Sequence, residues 1–218
     1  MFEAEARWLR GALDAYPPER VSPLVNLGSS DRTYRETTQP WVERELFAPL
    51  RARGIDVTHV DRREGDGIDV RADLTDPDAV ATLKAFAPRA LLCNNMLEHV
   101  ISPEVITRNC LELLVSGGLA FVTVPYFYPY HRDPIDTMYR PNPDELAKLF
   151  PGARLVEGLI LGAGSCYRDE LRQRPGLWLR HLARLPAPIP LAPWRRSMAK
   201  LASMNAEYRI TCAVFEKL

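Results

Sequence analysis

The sequence of 218 residues predicts an α/β fold with a mainly parallel sheet. Short apolar runs alternate with helical patterns through the first two thirds of the chain, which is typical of strand–helix–strand units. Each run stops at a small or polar residue, as strands do where the chain turns toward a helix. The five runs cover residues 23–27, 55–60, 68–70, 90–93 and 119–124.

The segments between these runs begin and end with the residues that favour helix boundaries. A capping side chain followed by proline and acids predicts a helix start, because proline fits the first turn and acids favour the positive end of the dipole. Glycine at residues 54 and 117–118 predicts helix ends, because it adopts the left-handed closing conformation. Predicted starts are Asp76-Pro77, Ser102-Pro103 and Asn142-Pro143.

The last third of the chain holds two further apolar runs, residues 153–161 and 208–215, with a basic insertion between them. From Ser165 to Lys200 this insertion has eight Arg and Lys against two acids. Its prolines argue against one long helix. We therefore predict one domain over residues 1–218, with an N-terminal helix in 1–20 and an insertion in 165–205.

Composition excludes several classes of function. The chain has 28 Lys and Arg against 28 Asp and Glu, and a neutral protein lacks the basic excess of a dedicated nucleic-acid binder. No apolar run approaches the roughly 18 residues of a membrane span. The four cysteines are far apart, which predicts reduced thiols and a cytoplasmic protein. The basic insertion still allows an anionic partner, a peripheral membrane contact through 165–200 or a homodimer contact.

Residues just after the strand runs are the candidates for binding, because ligands of open α/β sheets bind at the carboxyl ends of the strands. After the first run, Gly28, Ser29 and Ser30 permit a tight turn whose N–H groups face a ligand. The turn lacks the G-x-G-x-x-G pattern of nicotinamide dinucleotide sites, and an ordinary turn is the alternative.

Two acids extend this candidate site. Asp61 closes the second run, where a carboxylate is suited to accept from both hydroxyls of a ribose. Asp73, before Leu74, follows the third run and either accepts from an adenine amino group or only stabilises a turn. A cofactor that contains a nucleoside fits both acids.

Five segments in this order resemble the class I S-adenosylmethionine-dependent methyltransferases. The resemblance implies a Rossmann-like α/β fold: a mostly parallel seven-stranded sheet with an antiparallel final strand and helices on both faces. It implies S-adenosylmethionine as cofactor, with Asn26 to Ser30 near the methionine part, Asp61 on the ribose and Asp73-Leu74 on the adenine. Asn94 and Asn95 complete the expected cofactor contacts. The segments are 25–30, 59–61, 72–74, 92–100 and 114–119.

Methyl transfer to a hydroxyl needs a base near the acceptor, because the displacement is in line and the hydroxyl loses its proton. His131 is the predicted general base, oriented by Asp133 or Asp136, and His99 is a further catalytic candidate. Neighbouring fourth and fifth strands would bring these residues together.

Glu98, His99 and His131 also resemble the ligands of metal-assisted O-methyltransferases, which use Glu-x-x-Glu-His. Asn95 stands here in place of the first Glu. The resemblance implies Mg²⁺ or another divalent cation that lowers the pKa of the acceptor hydroxyl. The alternative is that Glu98 and His99 only form hydrogen bonds within their loop.

The segment 125–136 reads Pro-Tyr-x-Tyr-Pro-x-His-x-x-Pro-x-Asp, which is similar to methyltransferases of polysaccharide-modifying systems. This resemblance implies a sugar or oligosaccharide acceptor, and aromatic faces suit stacking on a sugar ring. A Pro-stiffened lid is the alternative structure. A phenol or quinone-like acceptor, or a binding subunit without catalysis, are the alternative functions.

Overall fold

The computed structural model describes residues 1–131, 134–183 and 191–218. Its centre is a seven-stranded sheet with the strand order β3-β2-β1-β4-β5-β7-β6. The strands are β1 (Leu24–Leu27), β2 (Val57–Asp61), β3 (Val70–Arg71), β4 (Ala90–Asn94), β5 (Leu119–Phe127), β6 (Ala153–Cys166) and β7 (Glu207–Lys217).

Ten α-helices surround the sheet in the described part of the chain. They are α1 (Glu3–Asp14), α2 (Pro18–Val21), α3 (Pro40–Val42), α4 (Ala48–Ala52), α5 (Pro77–Lys84), α6 (Pro103–Leu113), α7 (Pro143–Ala147), α8 (Tyr167–Gln173), α9 (Gly176–Leu182) and α10 (Leu191–Ala202). Two π-helical turns, Tyr34–Thr38 and Glu43–Phe47, flank α3, and Leu97–His99 is a single 3₁₀ turn.

Strand pairing confirms the predicted fold class. The strands β1 to β5 pair in parallel, whereas β7 lies antiparallel between β5 and β6. Parallel pairing places the carboxyl ends of β1, β2, β4 and β5 along one edge. The predicted loops therefore lie on one side of the sheet.

The ladder between β6 and β7 is longer than the apolar runs indicate. It extends from Ala153 opposite Lys217 to Cys166 opposite Glu207, with a shift in register between Gly162 and Cys166. The sequence of this strand ends with glycines and small residues that resemble a turn. Because β6 continues through Cys166, the helical part of the insertion begins at Tyr167.

The core has two layers, one on each face of the sheet. On one face Val25, Leu91 and Val122 pack under α5, α6 and α7. On the other face Leu24, Leu92 and Phe121 pack under α1 and residues 42–50. Successive residues of a strand point to opposite faces, so these near-continuous apolar strands are covered on both sides, as predicted.

All four cysteines are buried and form no disulfide, in agreement with the prediction of free thiols. Within the described ranges, no helix combines the length and apolar character that crossing a bilayer requires.

Candidate active site

The turn after β1 is tight and left-handed at two residues. Gly28 has a φ of 67° and Ser30 a φ of 54°. A Cβ on Gly28 would lie 3.3 Å from the Met96 sulfur, so a larger residue would be both strained and crowded. The backbone N–H of Ser30 donates to Asp61 Oδ2 at 2.9 Å. The turn therefore folds over the end of β2, next to the predicted ribose acid.

A buried arginine holds this turn in place. The Arg35 guanidinium donates to the carbonyls of Ser29 and Ser30 and to the carbonyl of Gly67. Burial lowers the pKa of Arg35 from its usual value. Arg35 lies in a π-helical turn and belongs to no recognisable motif, so no local pattern indicates this role.

The two predicted nucleoside acids have different surroundings. Asp61 is almost buried, and its Oδ1 accepts from the backbone N–H of Arg63 at 2.9 Å. Asp73 Oδ1 accepts from the N–H and hydroxyl of Thr75, and these hydrogen bonds lower the pKa of Asp73. Asp73 thus has the turn role given above as the alternative, while its second oxygen still lies at the end of β3. Leu74 is buried in the core.

Asn26 is oriented by its neighbour in the sheet. Its Nδ2 lies 3.1 Å from Nδ1 of His59, the residue opposite it in β2. Burial, reinforced by the charge of Arg35, lowers the pKa of His59 to about 4. His59 is therefore neutral at pH 7 and its Nδ1 accepts from the Asn26 amide.

A buried glutamate from α1, Glu5, contacts the carboxyl end of β4 and the middle of β5. Glu5 Oε1 accepts from the Thr123 hydroxyl and from Asn95 Nδ2, and its Oε2 accepts from the Phe2 N–H. The Thr123 hydroxyl oxygen also lies 3.1 Å from Asn94 Oδ1. Asn94 Nδ2 is buried and has no hydrogen-bond partner among the described residues, so it is available to a ligand.

Glu5 is not among the predicted site residues, although the sequence carries a signal for it. Glu5 lies one turn from Leu9 and Phe2 on the apolar stripe of α1, where an acid is unusual. An acid in that stripe indicates a buried hydrogen-bonded carboxylate.

The predicted metal group does come together. One ligand atom each from Glu98, His99 and His131 lie within 4.8 Å of one another. His99 Nδ1 lies 2.5 Å from the Ile135 carbonyl, which fixes the proton on Nδ1 and leaves Nε2 as an acceptor. That Nε2 lies 3.7 Å from Glu98 Oε1.

Glu98 is the least satisfied member of this cluster. Its side chain is fully buried, and neither carboxyl oxygen has a hydrogen-bond partner in the described parts of the chain. Burial raises the pKa of Glu98 to about 8. Its backbone carbonyl, in contrast, accepts from both the N–H and the hydroxyl of Thr137, which ties this loop to the segment after β5.

His131 is held by Asp136, the second of its two predicted orienting acids. The Asp136 carboxylate accepts from the His131 N–H at 2.9 Å and lies 3.3 Å from its Nδ1. Burial would raise the pKa of Asp136, but hydrogen bonds from His131, Arg140 and Met138 outweigh it and lower that pKa. The other predicted acid, Asp133, lies outside the described residues.

The His131 imidazole has the protonation state that a base requires. Burial and the neighbouring His99 lower its pKa against the opposing effect of Asp136. The rings of His99 and Tyr128 lie edge-on to it, each with its centroid 4.9 Å away. His131 is therefore neutral near pH 7 and faces a partly aromatic site.

Solved structures with this fold are known. Coclaurine N-methyltransferase bound to N-methylheliamine and SAH matches with a TM-score of 0.59 and 15% identity, covering 99% of this chain and 72% of that one. The 1,6-didemethyltoxoflavin-N1-methyltransferase of Burkholderia thailandensis matches with 0.55 and 14%, covering 99% and 77%. The [4+2]-cyclase SpnF matches with 0.58 and 13%, covering 97% and 81%.

These similarities define the fold of the chain as the Rossmann-like fold of the class I methyltransferases. No protein-family model matches the chain, and no curated protein matches it in sequence. A cyclase shares the same fold, so the reaction has to be argued from the site.

The buried His59 predicts a specific dependence of stability on pH. Its pKa is about 4 in the folded state and about 6.5 when unfolded, so the unfolded chain binds more protons between these values. The contribution of His59 to the free energy of unfolding is fully present above pH 6.5 and is lost as the pH falls toward 4. His59→Gln should remove about 2 kcal/mol from the fall in unfolding free energy between about pH 7.5 and 5.

Urea unfolding of both proteins at the two pH values measures this difference. An equal fall in the variant and the parent protein would show that His59 titrates normally in the folded state.

Proposed function

We propose that this protein is an S-adenosylmethionine-dependent O-methyltransferase that acts on a hydroxyl of a sugar or oligosaccharide. The observation that carries the proposal is the cluster of the buried Glu98 with the partly buried His99 and His131, which follow β4 and β5 on the same sheet edge as Asp61. Solved methyltransferases with SAH bound share the fold, which supports the choice of cofactor.

In this proposal the turn after β1 holds the methionine part and Asp61 holds the ribose. Asp61 Oδ2 accepts from the Ser30 N–H alone among the described residues, so it retains a lone pair for a ribose hydroxyl. Asp61 Oδ1 accepts from the N–H of Arg63 and, at 3.5 Å, from its Nε. Asn94 Nδ2 donates to the cofactor, because it is buried at this edge and lacks a partner among the described residues. Asp73 and Leu74 lie on the adenine side.

The chemistry assigned to His131 is removal of the acceptor proton. Its imidazole is neutral near pH 7, and Asp136 stabilises the imidazolium that forms. The acceptor oxygen forms a bond to the methyl carbon as the carbon–sulfur bond breaks. The sulfur keeps the electron pair of that bond, so the products are a methyl ether, S-adenosylhomocysteine and protonated His131.

The same cluster suits a divalent cation. The unpartnered carboxyl of Glu98 and the Nε2 of His99 are suitable ligands, and the Ile135 carbonyl orients the His99 ring by accepting a hydrogen bond from its Nδ1. Two ligand atoms that are each 2.0–2.2 Å from one ion lie within roughly 4.4 Å of each other. The candidate ligand atoms lie within 4.8 Å of one another, so small side-chain shifts would bring them into contact with one ion. A cation there lowers the pKa of a bound hydroxyl.

The sugar acceptor is inferred from the aromatic residues of the segment after β5. Tyr128 packs edge-on against His131 and Tyr208, and burial raises the pKa of Tyr128 to about 12, so it stays protonated. Such a wall suits the face of a sugar ring. A phenol or quinone-like ring is the second candidate, and a panel of sugar and phenolic acceptors separates the two.

The location and the binding partners of the protein are also part of the proposal. We expect a cytoplasmic protein that binds no nucleic acid. A homodimer contact and a peripheral membrane contact through 165–200 stay predictions. Exposed Trp178, Leu179 and Leu182 on α9 support the membrane contact.

Binding of the cofactor product is the first test. Calorimetry should detect S-adenosylhomocysteine binding, and Asp61→Asn should weaken it by roughly 10- to 100-fold, because a hydrogen bond to a charged group contributes about 1.5–3 kcal/mol. Asp56→Asn, at the opposite end of the same strand, is the control and should bind normally. Absence of binding to the parent protein would leave only the non-catalytic alternative.

Removal of the proposed base is the second test. His131→Ala should lower kcat by roughly 10²- to 10⁴-fold. Its affinity for S-adenosylhomocysteine should be unchanged, because the base contacts the acceptor and not the nucleoside. Turnover close to that of the parent protein would assign proton removal to another group.

Chelation is the third test. EDTA should abolish activity, added Mg²⁺ or Mn²⁺ should restore it, and Glu98→Gln should be inactive with either ion. Activity that is indifferent to chelation would contradict the metal proposal and leave His131 as a base acting without a cation.

A further inference from the structure

A polar cavity lies in the basic insertion, and the residue before His131 lines it. It has a volume of about 240 Å³ and lies among α8, α9 and α10, with Tyr130 at its border. Tyr130 immediately precedes His131 in the chain. The guanidinium of Arg196 lies 3.7 Å from the centre of the Tyr130 ring, which joins the cavity to the acceptor segment.

The charge of this cavity is positive. Arg180, Arg196 and Lys200 line it, and none of its described lining residues is acidic. The described residues provide no ion pair for Arg180 or Arg196, whereas Lys200 lies 5.4 Å from the ring centre of Tyr167. Three cations around one small space repel each other, and an anionic ligand offsets that repulsion.

The floor of the cavity is a buried chain of hydrogen bonds. The Tyr167 hydroxyl lies 2.7 Å from His181 Nε2, and His181 Nδ1 contacts the Ser197 hydroxyl. His181 and Ser197 are almost fully buried. In the tautomer with the proton on Nδ1, Ser197 accepts from His181 and has its own proton to donate into the cavity. Such a donor complements an anion.

The size of the cavity limits what it accepts. Pockets for whole small molecules measure roughly 300–1,000 Å³, so 240 Å³ suits a substituent and not a complete acceptor. Three cations with a hydroxyl donor match a doubly charged tetrahedral group better than a singly charged planar carboxylate. Arginine side chains are well suited to such phosphate oxygens.

We propose that this cavity is a subsite for a phosphoryl group of the acceptor, so that the substrate is a phosphorylated sugar. The proposal rests on the proposed function, because it places the acceptor hydroxyl near His131. Arg180 and Arg196 bind the phosphoryl oxygens, Lys200 adds charge, and Ser197 donates a hydrogen bond. Tyr130 links the anion subsite to the reaction centre.

Binding of inorganic phosphate tests the subsite without any methyl transfer. Titration calorimetry should detect phosphate binding, and Arg180→Gln and Arg196→Gln should each weaken it by about tenfold or more. Arg195→Gln is the matched control, because Arg195 precedes Arg196 in α10, is exposed as Arg196 is, and does not line the cavity. Each variant removes the same charge, so general attraction of anions affects all three equally.

Three outcomes would overturn the proposal. They are absence of phosphate binding, an equal loss of affinity in Arg195→Gln, and binding of acetate as tight as that of phosphate. These outcomes are separate from failure of the proposed function, since S-adenosylhomocysteine binding is measured independently in the same proteins.

Acceptor turnover tests the link between the two sites. A sugar monophosphate and a nucleoside-diphosphate sugar, two sources of the same phosphoryl chemistry, should be compared with the unphosphorylated sugar. At least one phosphorylated acceptor should have a kcat/KM about tenfold or more above that of the free sugar, and Arg196→Gln should remove this preference. Equal kcat/KM for all three acceptors would contradict the proposal.

Discussion

The buried carboxylate of Glu5 is the interaction on which the geometry of the site depends. A charged side chain without solvent is costly, and here three donors from Thr123, Asn95 and Phe2 offset that cost. These donors come from the middle of β5, from the residue after β4 and from the residue before α1. Because one carboxylate joins all three elements, the positions of Asn94, Asn95 and the following Glu98 turn are set together with the docking of the N-terminal helix.

A second set of hydrogen bonds fixes the segment after β5, on the acceptor side of the proposed site, against the loop after β4. The Glu98 carbonyl accepts twice from Thr137, and Asp136 contacts His131, Arg140 and Met138. The segment after β5 lacks regular secondary structure over residues 134–142, so these contacts take the place of a strand or helix in fixing it. The orientation of the proposed base therefore depends on backbone contacts to the loop after β4.

Much of this arrangement could be predicted, for definite reasons. Strand periodicity and the Pro-containing helix starts are local signals, and the parallel order brings Glu98 and His131 to one edge. Arg35 was not placed in the site, because it binds backbone carbonyls, which no residue pattern marks. The acid in the apolar stripe of α1 indicates burial of Glu5 but not its partners Asn95 and Thr123, which lie 90 and 118 residues further along the chain. The long β6 was missed because its glycines resemble a turn, while the pairing with β7 that extends it is not local.

Charged residues of opposite sign lie at the two ends of the proposed site, acids at the cofactor end and cations at the acceptor end. The carboxylates of Glu5 and Asp61 lie toward the proposed cofactor end, where Asn26 leaves β1 without an acid of its own. The methyl donor proposed for this end is a cation. Arg180, Arg196 and Lys200 lie beyond His131, toward the acceptor. In the proposed complex, a chain of zero net charge would thus place negative groups near the positive methyl donor and positive groups near the anionic acceptor. This separation favours binding the two substrates in opposite orientations, with the neutral His131 between them.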